Sequence, residues 1–511
     1  MCQVLEEYSD ELESAAVPSV SKKCVKCKEA RAAVVIRAGD AYCRGCFKDY
    51  FIHKFRAMLG KNRVIFPGEK VLLAVSGGPS SFSMLSQVQE GLSQNAHKKL
   101  RFIPGIVHID EGGAVGQSME ERQRTLAELQ ALFRATGFPF YIIPLEQVLD
   151  LPNSVLASAP SPAEQPSSTY KAAVDHFLQS NHSSCATPQD QGQTSIPEVQ
   201  EPHTQILQQL IISAKMLTAR QDLLSTLRQH LLVHTARSKG YSKLMLGDSC
   251  TRLAVKLLTS ISLGRGAHLA QDTGFSDSRY GDIISVRPMR DYSAKEIAYY
   301  NHLFHVPSVF IPSLDTKMPD KASVQRLTES FVTNLQADFP STVSTIYRTS
   351  EKLHTACERS STVDHRDTCL LCMCALDTAV ENASAFQATL ISEQLSQNTS
   401  SSATRTKIPT RKLAPVEPES VAPTVQCCSS GGREDCGRAE SGGGCCSSAN
   451  GAETSNLRSL LCYSCQLTIK DMSTVGHLPQ YILSEAQRRH RRSQMKAAIG
   501  EFLLEDGDEG V

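Results

Sequence analysis

Val71-Leu-Leu-Ala-Val-Ser76-Gly77-Gly78-Pro79-Ser80-Ser81 decides the fold of this chain. Val71 to Val75 is a short apolar, β-rich run, the pattern of a parallel strand covered on both faces. Ser76, Gly77 and Gly78 predict a turn whose amides point outward, because glycine accepts the required dihedrals and admits a close ligand. Ser80 or Ser81 is then expected to cap a helix whose N-terminus attracts anions. Strand, glycine turn and helix start together have the geometry of a phosphate cradle. A plain strand-to-helix turn fits the same residues, since short glycine motifs are weak evidence.

Downstream of this turn, strand and helix alternate. Phe102 to Gly112 reads as a strand ending in the polar turn Asp110-Glu111-Gly112. Met119 to Thr136 has a helical period through Leu126, Leu129, Leu132 and Phe133, and Phe140-Tyr-Ile-Ile-Pro is the next strand. A long helix is expected over Leu207 to Ser238, a strand over Lys243 to Gly247 and a helix over Leu253 to Leu263. Ile283 to Pro288 follows as a strand, and Ser293 with Glu296 forms a capping box for a helix Ala294 to Phe304. This alternation predicts an open parallel α/β sheet with ligands beyond the carboxyl ends of its strands.

Cysteine spacing supplies the second signal. Among 18 cysteines, Cys24-x-x-Cys27 and Cys43-x-x-Cys46 stand 15 residues apart, with a hairpin expected at Ala33 to Arg37 and Asp40 to Tyr42. Four thiolates so spaced suit one tetrahedral zinc ion, and a closed site of this kind is usually structural. Cys369-x-x-Cys372 and Cys462-x-x-Cys465 pair as a second zinc site across 89 residues, because loop closure cost grows only logarithmically with length. Cys374 is an ambiguous extra member.

Length and composition bound the rest. At 511 residues the chain has room for roughly two to four domains. The 53 basic and 53 acidic residues cancel, so any nucleic-acid contact uses local patches. No apolar run reaches the ~18 residues of a membrane span. The acidic start lacks a secretory or transit pattern, so a cytoplasmic location is expected. The expected organisation is a four-cysteine zinc module at 1–60 and the first half of an α/β domain at 61–149. A flexible Pro- and Ser-rich insertion fills 150–204, with a short helix near Tyr170 to Leu178. The second half of the α/β domain covers 205–312, and a helical segment covers 313–368. A zinc module at 369–511 carries a low-complexity insertion at 378–456. Phe47 to Leu59 and Leu483 to Leu504 are expected helices. The latter carries Arg488, Arg489, Arg491 and Arg492 as candidates for phosphate contact, against the simpler reading of a solvated charge run. An acidic tail, Glu505 to Glu509, ends the chain.

These residues add up to a resemblance. Ser76-Gly77-Gly78, Asp110, Gly247 and Arg287-Pro288, each beside an expected strand, resemble the PP-loop (adenine nucleotide α-hydrolase-like) fold. With the cysteine pairs on either side, taken as zinc-ribbon-like modules, the chain resembles the cytoplasmic tRNA 2-thiolation protein 2 family over nearly its full length. The resemblance implies one subunit of a heterodimer with a related, active tRNA thiolase. It implies sulfur delivery by a thiocarboxylated ubiquitin-like carrier to the wobble uridine of Lys, Glu and Gln tRNAs. Ser76, Gly77, Gly78, Ser81, Asp110 and Gly247 become vestigial nucleotide-binding positions.

Departures from the active pattern bear on the chemistry. Active members read Ser-Gly-Gly-x-Asp-Ser; here Pro79 stands at x and Ser80 at the Asp. Gly247 to Arg252 lacks both carboxylates of the corresponding active stretch. No core C-x-x-C exists, since only Cys185 and Cys250 lie between residues 60 and 260. Magnesium prefers carboxylate oxygens, so Mg-ATP binding is doubtful here. A scaffold and tRNA-binding role without catalytic residues is expected. The alternatives are an active thiolase using Cys250, with a thiol pKa lowered at a helix N-terminus, and a zinc-based interaction protein without an RNA role.

Overall fold

The computed structural model describes residues 23–36, 39–94, 99–156, 199–339, 341–350, 352, 368–376 and 457–500. The acidic start, most of the 150–204 insertion with its expected helix and Cys185, the 378–456 insertion and the acidic tail lie outside the described residues.

A six-stranded mixed sheet forms the centre. Its strands are β3 (Lys70–Ala74), β4 (Ile103–Asp110), β5 (Phe140–Pro144), β6 (Lys243–Leu246), β7 (Ser276–Tyr280) and β8 (Ile283–Val286), in the order β5-β4-β3-β6-β8-β7. Five run parallel, and only β7 pairs antiparallel, with β8. A separate antiparallel pair, β1 (Val34–Val35) and β2 (Ala41–Tyr42), is the expected hairpin. Strand β7 was invisible to hydrophobic pattern. Ser-Asp-Ser-Arg-Tyr is polar, and its buried Asp277 is held by Arg279 at 2.9 Å and Arg287 at 3.6 Å.

Alternating side chains of the strands separate two cores. Val71, Leu73 and Val75 face α1 (Arg44–Asn62), α2 (Pro79–Leu92), α4 (Met119–Thr136) and α9 (Ala294–Phe304). In α1, Phe47, Phe51 and Phe55 recur every four residues, and Phe51 stacks on Tyr300 at 3.9 Å between ring centroids. Leu72 and Leu244 face the other way, toward α5 (Glu201–Ser213), α6 (Leu217–Ser238), α12 (Tyr463–Asp471) and α13 (Gln480–Gly500). A short helix α3 (Gly112–Val115) follows β4. Helix α7 (Cys250–Ser262) packs with α8 (Leu269–Thr273), α10 (Val324–Asp338) and α11 (Thr342–Ser350) in a third, smaller cluster.

Two expected boundaries change for local reasons. The single helix over Leu207 to Ser238 is two helices, because Ala214 leaves the helix to bridge Met472 and the Met216 amide donates to Asp471 Oδ2 at 2.7 Å. The cap of α2 is Gly78, with Pro79 at the first helical position; neither Ser80 nor Ser81 caps it. The expected capping box of Ser293 with Glu296 forms on α9, and a second one, which the sequence reading missed, joins Ser118 and Glu121 on α4.

Candidate functional site

The chain runs from β3 outward to β5 and then returns to β6 on the other side of β3. Strand order therefore reverses at β3, which makes the carboxyl ends of β3 and β6 the switch point where ligands bind in such sheets. Ser76-Gly77-Gly78 follows β3, Asp110 ends β4, Gly247 follows β6 and Arg287 follows β8. The vestigial positions are thus gathered at one edge.

At that edge the groups are turned inward. Gly77 has φ +89°, a left-handed conformation that favours glycine. Its carbonyl accepts from the Val309 amide at 2.9 Å, and a Cβ there would lie 2.7 Å from Ile311 Cδ1. The chain's own 309–311 segment covers the turn. Pro79 removes one amide from the first turn of α2, so the cradle has one donor fewer. Ser81 Oγ donates to the Gly78 carbonyl at 2.9 Å, and Ser80 Oγ donates to the Gly247 carbonyl. Gly247 backs onto Ser81, where a Cβ would stand 2.9 Å from Ser81 Cα.

The strand-end carboxylates are committed to arginines. Asp110 Oδ2 accepts from Arg122 at 2.7 and 3.0 Å, and Oδ1 accepts from the Gly112 amide at 2.9 Å. The same guanidinium reaches Glu146 at 2.7 Å, with all three side chains buried. Burial alone lowers the Arg122 pKa, but Glu146 and Asp110 outweigh it and raise it. Glu111 is held by both ends of Arg228, and Asp248 lies 3.5 Å from Arg287 Nε and 3.8 Å from Arg252 Nε. A carboxylate already neutralised by a guanidinium is a poor magnesium ligand. Arg122, Glu146 and Arg228 escaped the sequence reading, since their partners lie 12, 24 and 117 residues away.

Cys250 is buried beside Ala254, Val255 and Tyr347. Burial, reinforced by Glu296, pushes its thiol up to about 11. The lowered pKa expected for a thiol at a helix N-terminus is therefore not realised, because desolvation wins over the helix field.

Both four-cysteine sets assemble. Cys24, Cys27, Cys43 and Cys46 place their sulfurs within 4.8 Å of one another, as do Cys369, Cys372, Cys462 and Cys465. Cys27 and Cys43 sulfurs are 3.9 Å apart, and Cys372 and Cys462 sulfurs 3.5 Å. Four thiolates around one zinc at ~2.3 Å stand roughly 3.8 Å apart, so the donor sets fit a single tetrahedral ion. An iron–sulfur cube spreads its thiolates over separate irons and needs a wider set.

The two sites share one plan. In each, the first pair lies on a tight turn whose next residue is left-handed, Lys28 at φ 62° and Met373 at φ 57°. The amides of these residues return to the Cys24 and Cys369 carbonyls at 2.8 and 3.0 Å. The second pair is a helix start, with Cys43 as N-cap of α1 and Cys462 as N-cap of α12. Free amides and the helix dipole at such a start favour thiolate charge. Burial pushes the Cys24 thiol up, but amides of Cys27, Cys43 and Lys26 pull it down further, to about 6.

The second site has the fuller surroundings. His230 accepts from the Tyr481 hydroxyl at Nδ1 and donates from Nε2 to the Leu371 carbonyl, both at 2.7 Å. The tautomer is assigned from these partners, since a carbonyl only accepts. Burial lowers the His230 pKa to about 4, against the pull of the Leu371 carbonyl. Arg265 is fixed on Asp222 at 2.5 and 2.6 Å, and the Cys465 charge also helps to raise its pKa. Cys374 stands outside the four-sulfur group; its sulfur accepts from Arg279 at 2.9 Å.

A first expectation follows from the covered turn. Gly77→Ala combines a left-handed backbone with a clash, so it should lower stability by about 1–3 kcal/mol. Ile311→Ala in the same chain removes the clash and should recover part of that loss, measured as a urea-midpoint cycle. Strict additivity of the two substitutions would show that Ile311 does not press on the turn.

Comparison with known proteins shows the family. Residues 323–467 match the family model described as cytoplasmic tRNA 2-thiolation protein 2. The protein of that name from Danio rerio is 56% identical over 521 residues, spanning 99% of each chain. The one from Homo sapiens is 50% identical, spanning all of this chain and 99% of its own. Among solved structures, the U34-tRNA thiolase NcsA from Methanococcus maripaludis with its 4Fe–4S cluster aligns with a TM-score of 0.43 and 14% identity. That alignment covers 66% of this chain and 89% of NcsA, and the likeness is too low to carry an argument. Among the described residues no helix is long and apolar enough to cross a membrane. The chain belongs to the cytoplasmic tRNA 2-thiolation protein 2 family.

Proposed function

We propose that this chain is the non-catalytic, tRNA-holding subunit of a cytoplasmic two-subunit tRNA thiolase. Its partner is a related, active thiolase chain. The pair adds sulfur, delivered by a thiocarboxylated ubiquitin-like carrier, to the wobble uridine of Lys, Glu and Gln tRNAs. Ser76, Gly77, Gly78, Ser81, Asp110 and Gly247 are the remnant of a PP-loop nucleotide site. Zinc in the two four-cysteine sites is structural, held by the four thiolates of each set. The domain limits are those expected from the sequence, with the α/β halves at 61–149 and 205–312.

One observation carries this reading: in a chain of a thiolation family, Gly77 of the cradle is covered by residues 309–311 and the neighbouring carboxylates are paired with arginines. The buried Cys250 speaks against an altered active site. The test is reconstitution. The isolated chain should show no ATP pyrophosphatase turnover above background, while the chain with its partner, ATP, carrier and tRNA should thiolate. Cys250→Ala should keep that thiolation within about twofold. Turnover by the isolated chain, or loss of thiolation in Cys250→Ala with assembly and tRNA binding intact, would move the chemistry into this subunit. Absence of tRNA binding with and without the partner would leave an interaction protein.

A further inference from the structure

The basic helix α13 divides into an anchored half and a free half. Tyr481 and Ile482 are buried in the core, and Tyr481 donates to His230, which in turn holds the Leu371 carbonyl inside the Cys369–Cys372 turn. Glu485 is buried and accepts from Arg488 at 2.6 and 2.9 Å and from Arg489 at 2.9 Å. Arg489 also donates to the Thr368 carbonyl, one residue before Cys369. Arg489 thus ties the helix to the second four-cysteine site, while Arg488 pairs only within the helix, with Glu485.

Beyond them the helix stands away from the body. Every residue from Arg491 to Ile499 is exposed. No acidic residue occurs from Ala486 to Gly500. Among the described residues, Arg491, Arg492 and Lys496 make no ion pair. At roughly 100° per residue these three cations share one side of the helix, with Met495 and Ile499 between them. Ser493, Gln494 and Ala497 occupy the opposite side. Nine exposed residues of helix bury little of their own, and a concentrated positive side has its complement in a polyanion.

We propose that the outer half of α13 is an RNA-binding arm. In it Arg491, Arg492 and Lys496 contact the phosphate backbone, and Arg489 is the strut fixing the arm to the second cysteine site. This rests on the tRNA-holding role proposed above and narrows it to three side chains. Long, flexible cations at helical spacing reach successive phosphates without reading bases, so the arm supplies affinity and orientation rather than sequence choice.

The experiment measures binding of purified tRNA to the full-length chain, with and without its partner, across a salt series. Arg491→Gln, Arg492→Gln and Lys496→Gln combined should leave the melting temperature unchanged and lower the slope of log K against log salt by about 3, one per lost phosphate contact. Arg489→Gln should raise amide exchange along α13, a change the triple variant should not show. An unchanged slope in the triple variant, with wild type binding tRNA, overturns the arm and leaves the subunit role standing. If wild type binds no tRNA in either state, both fall. Vesicles of phosphatidylcholine with phosphatidylserine, and partner assembly, are the competing occupants. Loss of either in Met495→Ser with Ile499→Ser, while the tRNA slope is kept, overturns the RNA assignment.

Discussion

Cys462→Ser should cost the protein its cooperative melt, whereas Cys27→Ser should leave a folded chain with one metal fewer. The contrast comes from where the two sulfur clusters sit. Cys369, Leu370, Leu371, Cys462 and Cys465 belong to the same core as Leu72, Leu227 and Leu244, so the second site is part of what covers one face of the sheet. The first site lies nearer the surface, where Val25 is half exposed, and α1 stays anchored through Phe47, Phe51 and Phe55 without its sulfur ligands. Structural zinc contributes apparent free energies of about 10–16 kcal/mol in isolated zinc fingers. A whole domain is stable by only about 5–15 kcal/mol. Losing even part of the metal term at the second site therefore removes most of the margin. Metal content per chain and a thermal melt check this: about two metals for wild type, one for Cys27→Ser with a retained transition. Equal unfolding by both variants would show that the first site also holds the core.

The other large effect is expected at Arg122. Arg122→Met leaves Asp110 and Glu146 buried without their shared cation, and breaking a buried pair from one side costs about 3–5 kcal/mol. The sign with pH follows from linkage. In the variant a buried carboxyl favours its neutral form, so its folded pKa rises above the unfolded value. That shift stabilises the variant below the unfolded pKa of about 4 and is lost as pH rises. The deficit against wild type is therefore largest at neutral pH and smallest under acid conditions. Glu146→Gln added to Arg122→Met should lose less than the sum of the singles. Urea midpoints at pH 7 and near pH 4 decide it. A deficit of equal size at both pH values would mean that Arg122 matters through packing alone. The outcome also bears on function, because Asp110 is one of the positions proposed above as the remnant of a nucleotide site. Its two oxygens serve the fold through Gly112 and Arg122.

Much of the fold was legible because local signals were strong. The Val71 to Val75 run, the Ser293–Glu296 capping box and Phe140 to Pro144 each announce an element through periodicity or a cap, and each forms where expected. Cysteine spacing located both sulfur clusters, including the pairing across 89 residues, since only four C-x-x-C pairs exist. What escaped was long-range and polar. Strand β7 is held by the ion pairs of its Asp277 with Arg279 and Arg287, and its polar residues carry no apolar period that would announce a strand. The break at Ala214 is dictated by Asp471 and Met472, which no window around residue 214 contains. The cover over Gly77 comes from residues 309–311, an unremarkable Pro-flanked stretch in sequence. The candidate site was thus readable as positions and unreadable as partners.

The division of the second sulfur cluster between residues 369–372 and 462–465 also sets an order on synthesis. At translation rates of roughly 5–20 residues per second, the second pair follows the first by roughly 5 to 20 s. Helix α12 arrives with the second pair and α13 after it, so the side of the sheet bearing Leu72 and Leu244 has α5 and α6 but lacks the cover of α12 and α13 until residues 463–500 are made. A nascent or truncated chain presents that surface, with two unmatched thiols, to chaperones and proteases. Closing of the sulfur cluster is therefore a mark that residues 462–465 have been made and have reached the 369–372 turn.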